Sequence, residues 1–489
     1  MPGAIQQAYW RHILKIYTPR GYANDVWDHM SNTPRCGVNI GMGGGKTSLT
    51  LFHLAMQQLL TGSTPRTLVI GPKRVAKNVW TAETKLWRGL EHLRTSVIIG
   101  TPEQRQAALR VDADIYTINF ENIEWLVKTL DGAWPFECVV CDESTKLAGF
   151  RGGWQKHKKT GTVFYRRGGT VRAAELGSVA HRSKQWLNLS GSMAAGGIDK
   201  VWGQNFFLDY GKSLGSSYSA FTDKWFHQRP GSAKEAAIFE PWAGAAEEIL
   251  DRIKHLYIVI DTYKYFNIEE PKFVHIPVYL GSKLKAQYRV LRDECVLALK
   301  EETTITAVNA GAKINKCLQF SSGSILDEHG ESHHIHSLKL EALESVVEEL
   351  NGQPLIVTYW YKSDKRAILA KFPKAAVFDD SKETEDLWNA GKIQMLLLHP
   401  ASAGHGVSLQ HGGNNMCIFT PFFSLDLFLQ VIERIGPMRQ MQSGYKRLVN
   451  VFLLETEGTW DGRVWKMLQE KRTVNDMVTE ALTDERFYG

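Results

Sequence analysis

Two series of short, almost continuously apolar segments, spaced by amphipathic stretches, set the strongest limit on how this chain can fold. The first series is "CGVNI", "RTLVIGP", "TSVIIG", "ADIYTINF", "ECVVCDE" and "QWLNLSG"; the second is "PLIVTYW", "KAAVFDD", "IQMLLLHP", "NMCIFTP" and "KRLVNVFLL". A strand apolar on both faces has to be covered on both faces, as in a parallel sheet between helical layers. The intervening stretches fit that picture: "HSLKLEALESVVEEL" carries its apolar residues at three- and four-residue spacing. The series separate around residues 260–275. The pattern predicts two tandem α/β domains, residues 1–265 and 266–489, each a mostly parallel sheet flanked by helices. At 489 residues, 43% hydrophobic and 22% charged, the chain has material for two such cores.

Several classes are disfavoured. The N-terminal "MPGAIQQAYWRHILKIYTPRG" lacks the continuous apolar run of a secretory signal. No stretch reaches the roughly 18 apolar residues of a membrane span. Six cysteines in a chain this long do not read as a disulfide framework. A reduced, cytoplasmic protein without a membrane partner is expected. The net charge of +6 permits a polyanionic partner. Much of that charge is local: residues 151–184 hold nine Lys/Arg against one acid, Glu175. This insert reads either as a solvated loop and helix face or as a nucleic-acid contact. In the second reading Lys156, Lys158 and Lys159 meet phosphates.

The chemistry starts at "IGMGGGKTSLTLFHLA". A strand ending at Ile40 runs through Gly43, Gly44 and Gly45 into a helix opened by Lys46, Thr47 and Ser48. Glycines at such a turn let backbone N–H groups approach a phosphate, and the helix N-terminus adds a favourable dipole. Lys46 is placed for the β/γ-phosphates and Thr47 for Mg²⁺. The glycine that opens the longer G-x-x-x-x-G-K-[ST] pattern is replaced by Ile40, leaving the shorter G-x-G-K-T form. A cradle of this kind needs an acidic partner at the end of a neighbouring strand. "ECVVCDEST" supplies two, Asp142 to hold Mg²⁺ and Glu143 to orient and deprotonate the attacking water. A bare helix cap is the bland alternative; the tandem carboxylates argue for ATP hydrolysis.

Two metal or redox readings are weaker. Cys138 and Cys141 form C-x-x-C inside an apolar run, not at a helix start, with no second pair to complete a zinc site. His329, His333, His334 and His336 crowd into "LDEHGESHHIHS", which reads as a polar hairpin.

From about Pro19 to Lys471 the order of motifs resembles a superfamily-two helicase, most closely the Swi/Snf-like DNA translocases in a compact bacteriophage form. "PRGYANDVW" is similar to the family's adenine-reading motif, which implies nucleotide contacts from Arg20 and Tyr22, with Ala23 at the family's glutamine position. "GPKRVAKNVWTAETKLW" resembles the segment that grips one DNA strand, implying contacts from Pro72 and Lys73. "LNLSGSMAAGG" is similar to the element that links ATP state to DNA grip, with Ser190 and Ser192 as the small hydroxyls. "NAGKIQMLLLHPASAGHGVSLQHGG" resembles a DNA-contacting turn, implying Ser402, Gly404 and His405, with Ser408 at an asparagine position. In "QVIERIGPMRQMQSGYKR", Gln430 and Arg434 match the last motif, and the next arginine, Arg439, comes five residues on rather than three.

The resemblance implies two RecA-like domains with ATP and Mg²⁺ in the cleft between them and Arg434 or Arg439 as the hydrolysis trigger. It implies a motor that tracks along or remodels double-stranded or branched DNA, largely independent of sequence, in the host cytoplasm if the chain is a phage's. Two alternatives stay open. One is a strand-separating helicase on single-stranded DNA or RNA, with Trp80, Trp87 or Trp154 as stacking platforms. The other is a nucleic-acid-binding scaffold with a degenerate ATPase, favoured by Ala23, Ser408 and the arginine spacing, disfavoured by Lys46, Asp142 and Glu143.

Overall fold

The structure, a computed structural model, describes residues 14–41, 43–157, 160–191, 197–228, 239–301, 307–327, 329–402 and 407–468. The described chain divides between Asp261 and Thr262, with Gln228 and 239–240 grouped with the second unit. The expected junction is four residues further on.

In the first domain the strands are β1 (Arg35–Ile40), β2 (Thr67–Gly71), β3 (Thr95–Val97), β4 (Ile115–Asn119), β5 (Cys138–Asp142), β6 (Gly153–Lys156), β7 (Val163–Arg166) and β8 (Gln185–Ser190). Two short strands, β9 (Phe226–Gln228) and β10 (Phe239–Pro241), precede β11 (Tyr257–Ile260). Seven of these form one sheet, ordered β11-β1-β8-β5-β2-β4-β3, with every pairing parallel. The apolar runs become strands because both faces are covered: Val38, Ile40, Leu68, Ile70, Val139, Val140 and Leu189 have no exposed surface. Each such side chain contributes about 1.5–3 kcal/mol of burial.

The second domain contributes β12 (Lys272–Val278), β13 (Ser324–Leu326), β14 (Ser332–His334), β15 (Leu355–Thr358), β16 (Ala376–Val377), β17 (Met395–Leu398), β18 (Asn415–Ile418) and β19 (Asn450–Thr456). Its six-stranded sheet is also all parallel, ordered β12-β19-β18-β15-β17-β16. Strand alternation sorts its residues into two cores. Ile356, Leu396, Leu398, Met416, Ile418 and Leu453 join one cluster. Leu355, Val357, Leu397, Cys417, Phe452 and Leu454 join the other. The expected pair of parallel α/β domains is therefore present.

β12 escapes the sequence pattern because it is an edge strand with partly exposed residues and an internal proline, Pro277. A buried ion pair locks the second domain: Lys339 Nζ lies 2.6 Å from Asp461 Oδ2, both fully buried, and Nζ also donates to the Phe419 carbonyl at 3.1 Å. No helix among the described residues is long and apolar enough to cross a membrane.

Candidate active site

The candidate residues of the first domain gather at the carboxyl edge of its sheet. β1 ends in the glycine turn, β8 ends at Ser190, and β5 ends at Asp142, with β8 lying between the other two. At about 4.8 Å per strand spacing, β1 and β5 stand roughly 10 Å apart. Register keeps these ends level: Asn39 pairs with Ser190, and Leu189 with Asp142. Ligands of open parallel sheets bind at this edge.

The turn takes a backbone conformation that glycine adopts readily. Gly43 and Gly45 have φ of +72° and +83°, a region costly for any residue with a Cβ. Gly45 caps the helix Lys46–Thr61. A Cβ at Gly45 would sit 3.3 Å from Ser48 Oγ and 3.7 Å from Arg20 Cζ, so the positive φ, more than lack of space, favours glycine there. Lys46 Nζ donates to the carbonyls of Ile40 (2.7 Å) and Gly41 (3.3 Å). Its ammonium therefore lies along the loop, beside the helix N-terminus. Thr47 is half-buried on the first turn. Ser48 is buried, and its hydroxyl donates back to the Gly45 carbonyl at 3.0 Å.

Tyr22 and Arg20 hold this loop from behind. The buried Tyr22 hydroxyl donates to the Gly44 carbonyl at 2.7 Å, and Arg20 Nη1 donates to that hydroxyl at 3.0 Å. Both were expected at the nucleotide; the structure places them on the loop that would carry it.

Asp142 and Glu143 are both nearly buried, at 7% and 8% exposure. Glu143 has left-handed backbone, φ 67° and ψ 57°. Consecutive strand residues point to opposite faces; this turn ends the alternation immediately after Asp142. The conformation costs a non-glycine residue about 1 kcal/mol or more, and such strain clusters at functional sites. Trp80 Nε1 donates to Asp142 Oδ2 at 3.0 Å. Behind Glu143, the Ser144 hydroxyl donates to Gln204 Oε1 at 3.1 Å, and Asn188 of β8 donates to the Gln204 carbonyl at 2.9 Å. Pro72 and Lys73 follow β2, the strand beside β5, and Lys73 is exposed.

In the second domain, Arg434 and Arg439 converge on one acceptor. Their Nη1 atoms donate to the Val407 carbonyl at 3.3 and 2.8 Å. Arg439 also donates to Ser408 Oγ at 2.6 Å. Arg434 is 1% exposed, and burial lowers the pKa of Arg439 from its usual range. Gln430 is buried in the helix Leu425–Ile432. Ser402 is exposed on a turn following β17.

Ser192, Gly404, His405, Lys158 and Lys159 lie outside the described residues; Lys156 lies on β6. Of the stacking candidates, Trp80 is fully buried, Trp87 is half-buried with its N–H on Glu83, and Trp154 is 37% exposed. Trp80 is therefore no platform for a base.

The cysteine and histidine motifs resolve as structure. Cys138 and Cys141 are buried inside β5; burial pushes the Cys138 thiol up to about 12 and Cys141 up as well. Thiols held protonated in this way are poor ligands and nucleophiles. The histidines sit on the antiparallel β13–β14 hairpin, where His333 Nε2 lies 2.7 Å from Asp327 Oδ2. Burial lowers His336 to about 4. No group of three metal-ligating side chains occurs among the described residues.

No family model matches the chain. Among curated proteins it is 38% identical over 472 residues to protein p41 of Acyrthosiphon pisum secondary endosymbiont phage 1, covering 96% of this chain and 99% of that protein. The chain belongs to the family of that phage protein.

Among solved structures the p41-family chain is similar to the Sulfolobus solfataricus SWI2/SNF2 ATPase core in complex with double-stranded DNA. Identity is 19% and the TM-score 0.41, over 96% of this chain and 94% of that one. It is also similar to the SWI2/SNF2 ATPase core domain of the same organism, at 19% identity and TM-score 0.40, over 94% and 90%.

Sequence reasoning about the p41-family chain missed Trp80 as the partner of Asp142 and Tyr22 as the latch on Gly44. The sequence reading offers Trp80 as a base-stacking platform and Tyr22 as a nucleotide contact. An indole or phenol buried whole does need a partner for its polar atom, but nothing local in the sequence names that partner.

Proposed function

We propose that this protein is a nucleic-acid-stimulated ATPase of the Swi/Snf-like type, a motor that tracks along or remodels duplex or branched DNA. The observation that carries the reading is the convergence at one sheet edge. A lysine-bearing glycine turn ends β1, and paired carboxylates end β5, with only β8 between them. The donor set fits a magnesium nucleotide: an ammonium, helix N-terminal amides, a hydroxyl and a nearly buried carboxylate. Thr47 and Asp142 would hold Mg²⁺, which when bound would neutralise phosphate charge. Lys46 binds the β/γ-phosphates, and Trp80 fixes which oxygen of Asp142 faces the site. Glu143 orients the attacking water and accepts its proton. Ser190, at the end of the strand between cradle and carboxylates, is placed to sense the phosphate.

Arg434 and Arg439 are assigned to triggering hydrolysis, a role that can supply about 10³–10⁵ in rate. Their shared acceptor, Val407, lies just past the turn assigned to DNA, so one carbonyl links trigger and grip. Pro72, Lys73 and Ser402 are assigned to the DNA backbone, Gly404 and His405 with them. Such contacts carry no base sequence.

ATP turnover compared without nucleic acid and with duplex DNA, single-stranded DNA or RNA tests the reading. Duplex should stimulate most. Preference for single strands makes the protein a strand-separating helicase, and absence of any hydrolysis leaves a scaffold. Within the same assay Glu143→Gln should keep ATP binding and stop turnover, whereas Lys46→Ala should lose binding. Normal turnover by Glu143→Gln would refute its role as base.

A further inference from the structure

The chain between the Glu143 turn and β8 leaves the sheet as a separate two-stranded ribbon. β6 and β7 pair antiparallel, with Trp154 opposite Tyr165, Gln155 opposite Phe164, and Lys156 opposite Val163. Its neck is packed through glycines. A Cβ at Gly169 would lie 1.9 Å from the Gly149 carbonyl oxygen, at Gly168 2.6 Å from that of Arg151, and at Gly152 2.7 Å from that of Arg166. Arg151 anchors the neck by donating to the Ala148 (2.7 Å) and Phe150 (2.6 Å) carbonyls and stacking 3.6 Å from the Tyr218 ring centroid. One face is fastened at the base: Tyr165 donates to the Ala174 carbonyl at 2.6 Å, and Trp154 meets His181 edge-on at 4.9 Å.

Toward the tip neither face is covered. Val163, on the Trp154 face, is 60% exposed, and Phe164, on the opposite face, is 42% exposed. Two consecutive apolar residues thus stand exposed at the far end of the ribbon, one on each face. Their setting is cationic: the sequence from Arg151 to Ala174 has seven Lys/Arg and no acid. Arg167 is held by Glu175 at 2.8 Å, while Arg166 is exposed. A solvated surface loop accounts for the charge and leaves the two apolar residues unexplained; a protein groove accounts for them and leaves the charge unmatched.

Duplex DNA accounts for both. The major groove, about 12 Å wide and about 8.5 Å deep, admits a two-stranded β-ribbon. Beyond the fastened Trp154–Tyr165 pair, two residue pairs give about 7 Å of ribbon, enough to carry Val163 and Phe164 past the rim and into the groove. We propose that the β6–β7 ribbon inserts into the major groove of duplex DNA. Val163 and Phe164 lie between the groove walls, where apolar side chains meet thymine methyls, and the flanking cations lie on the phosphates. This rests on the duplex-motor reading and adds the groove and the element that enters it.

The test is methylation protection at guanine N7, a major-groove atom, on a labelled duplex, with the salt dependence of affinity measured alongside. The native protein should protect N7. Replacing residues 155–164 by a two-glycine turn should abolish that protection, and Val163→Ser with Phe164→Ser should weaken it several-fold. Arg166→Ala should lower the slope of log affinity against log salt by about 0.9 if it holds one phosphate. The melting temperature checks that each variant is folded; should the deletion not fold, the double serine variant decides. Native protein that binds duplex without protecting N7, or folded variants that protect as well as the native chain, overturn the ribbon proposal alone. Native protein that binds no duplex overturns the motor reading with it.

Discussion

Trp80→Phe should weaken the use of Mg²⁺ about tenfold while leaving the maximal rate within a few-fold. The change removes one N–H donor from a carboxylate that is 7% exposed, a bond of 3.0 Å. Hydrogen bonds to charged groups contribute about 1.5–3 kcal/mol, which corresponds to roughly 10–150-fold. Asp142 itself stays in place, because β5 is fixed between β2 and β8, so only the orientation of its carboxylate is lost. That argues for the low end, in line with the roughly 10–100-fold cost of removing a residue that orients a metal ligand. The assay is ATP turnover titrated with Mg²⁺ at fixed nucleotide. Lost volume would destabilise the fold in any case, so the control is Trp186→Phe. Trp186 is equally buried, and its N–H donates to Asn188 at 2.9 Å, on β8. The control should lower the melting temperature without moving the Mg²⁺ midpoint. Superimposable titrations for Trp80→Phe and native protein, or an equal shift in the control, would refute the argument and make Trp80 simple core.

Tyr22→Phe should raise the Kd for ATP roughly fivefold to tenfold, since the loop loses a buried hydrogen bond of about 1 kcal/mol or slightly more; an unchanged Kd by calorimetry means the latch is idle. Arg439→Ala should cut DNA-stimulated turnover more than its stability, whereas Arg434→Ala, truncating a side chain 1% exposed, should also unfold the protein more readily. Paired rate and melting measurements separate the two, and matching losses of rate and stability for both would remove Arg439 from the trigger role. Asp461→Asn leaves the Lys339 ammonium buried without its counter-ion and should cost about 3–5 kcal/mol. That is a fall of roughly 6–20 °C for a domain of this size. A drop under a few degrees by calorimetry would show that the pair is not essential.

The domains were legible because both sheets are buried on both faces. Residues such as Ile356 and Val357 enter opposite cores, so neither had to be polar. The same logic hid β12, β6 and β7, whose exposed residues break the apolar run. Lys46, Asp142 and Glu143 were legible as candidates because a glycine turn and a pair of carboxylates each follow a strand directly in the chain. The second layer was not. Trp80 meets Asp142 across 62 residues and Tyr22 meets Gly44 across 22, distances over which one sequence carries no pairing signal. The altered arginine spacing was visible, but not its outcome, that both guanidinium groups reach the same carbonyl.

The place of β1 in its sheet bears on how the protein matures. This strand is synthesised first of the seven, yet both its neighbours, β8 and β11, come from the final third of the domain, with Gly37 beside Tyr257. A nascent chain that has emerged only as far as the carboxylates still holds its glycine turn on an unflanked ribbon of backbone. The strand that carries the glycine turn should then gain both its neighbours late in translation, so the turn proposed to bind nucleotide is set only when the domain is nearly complete.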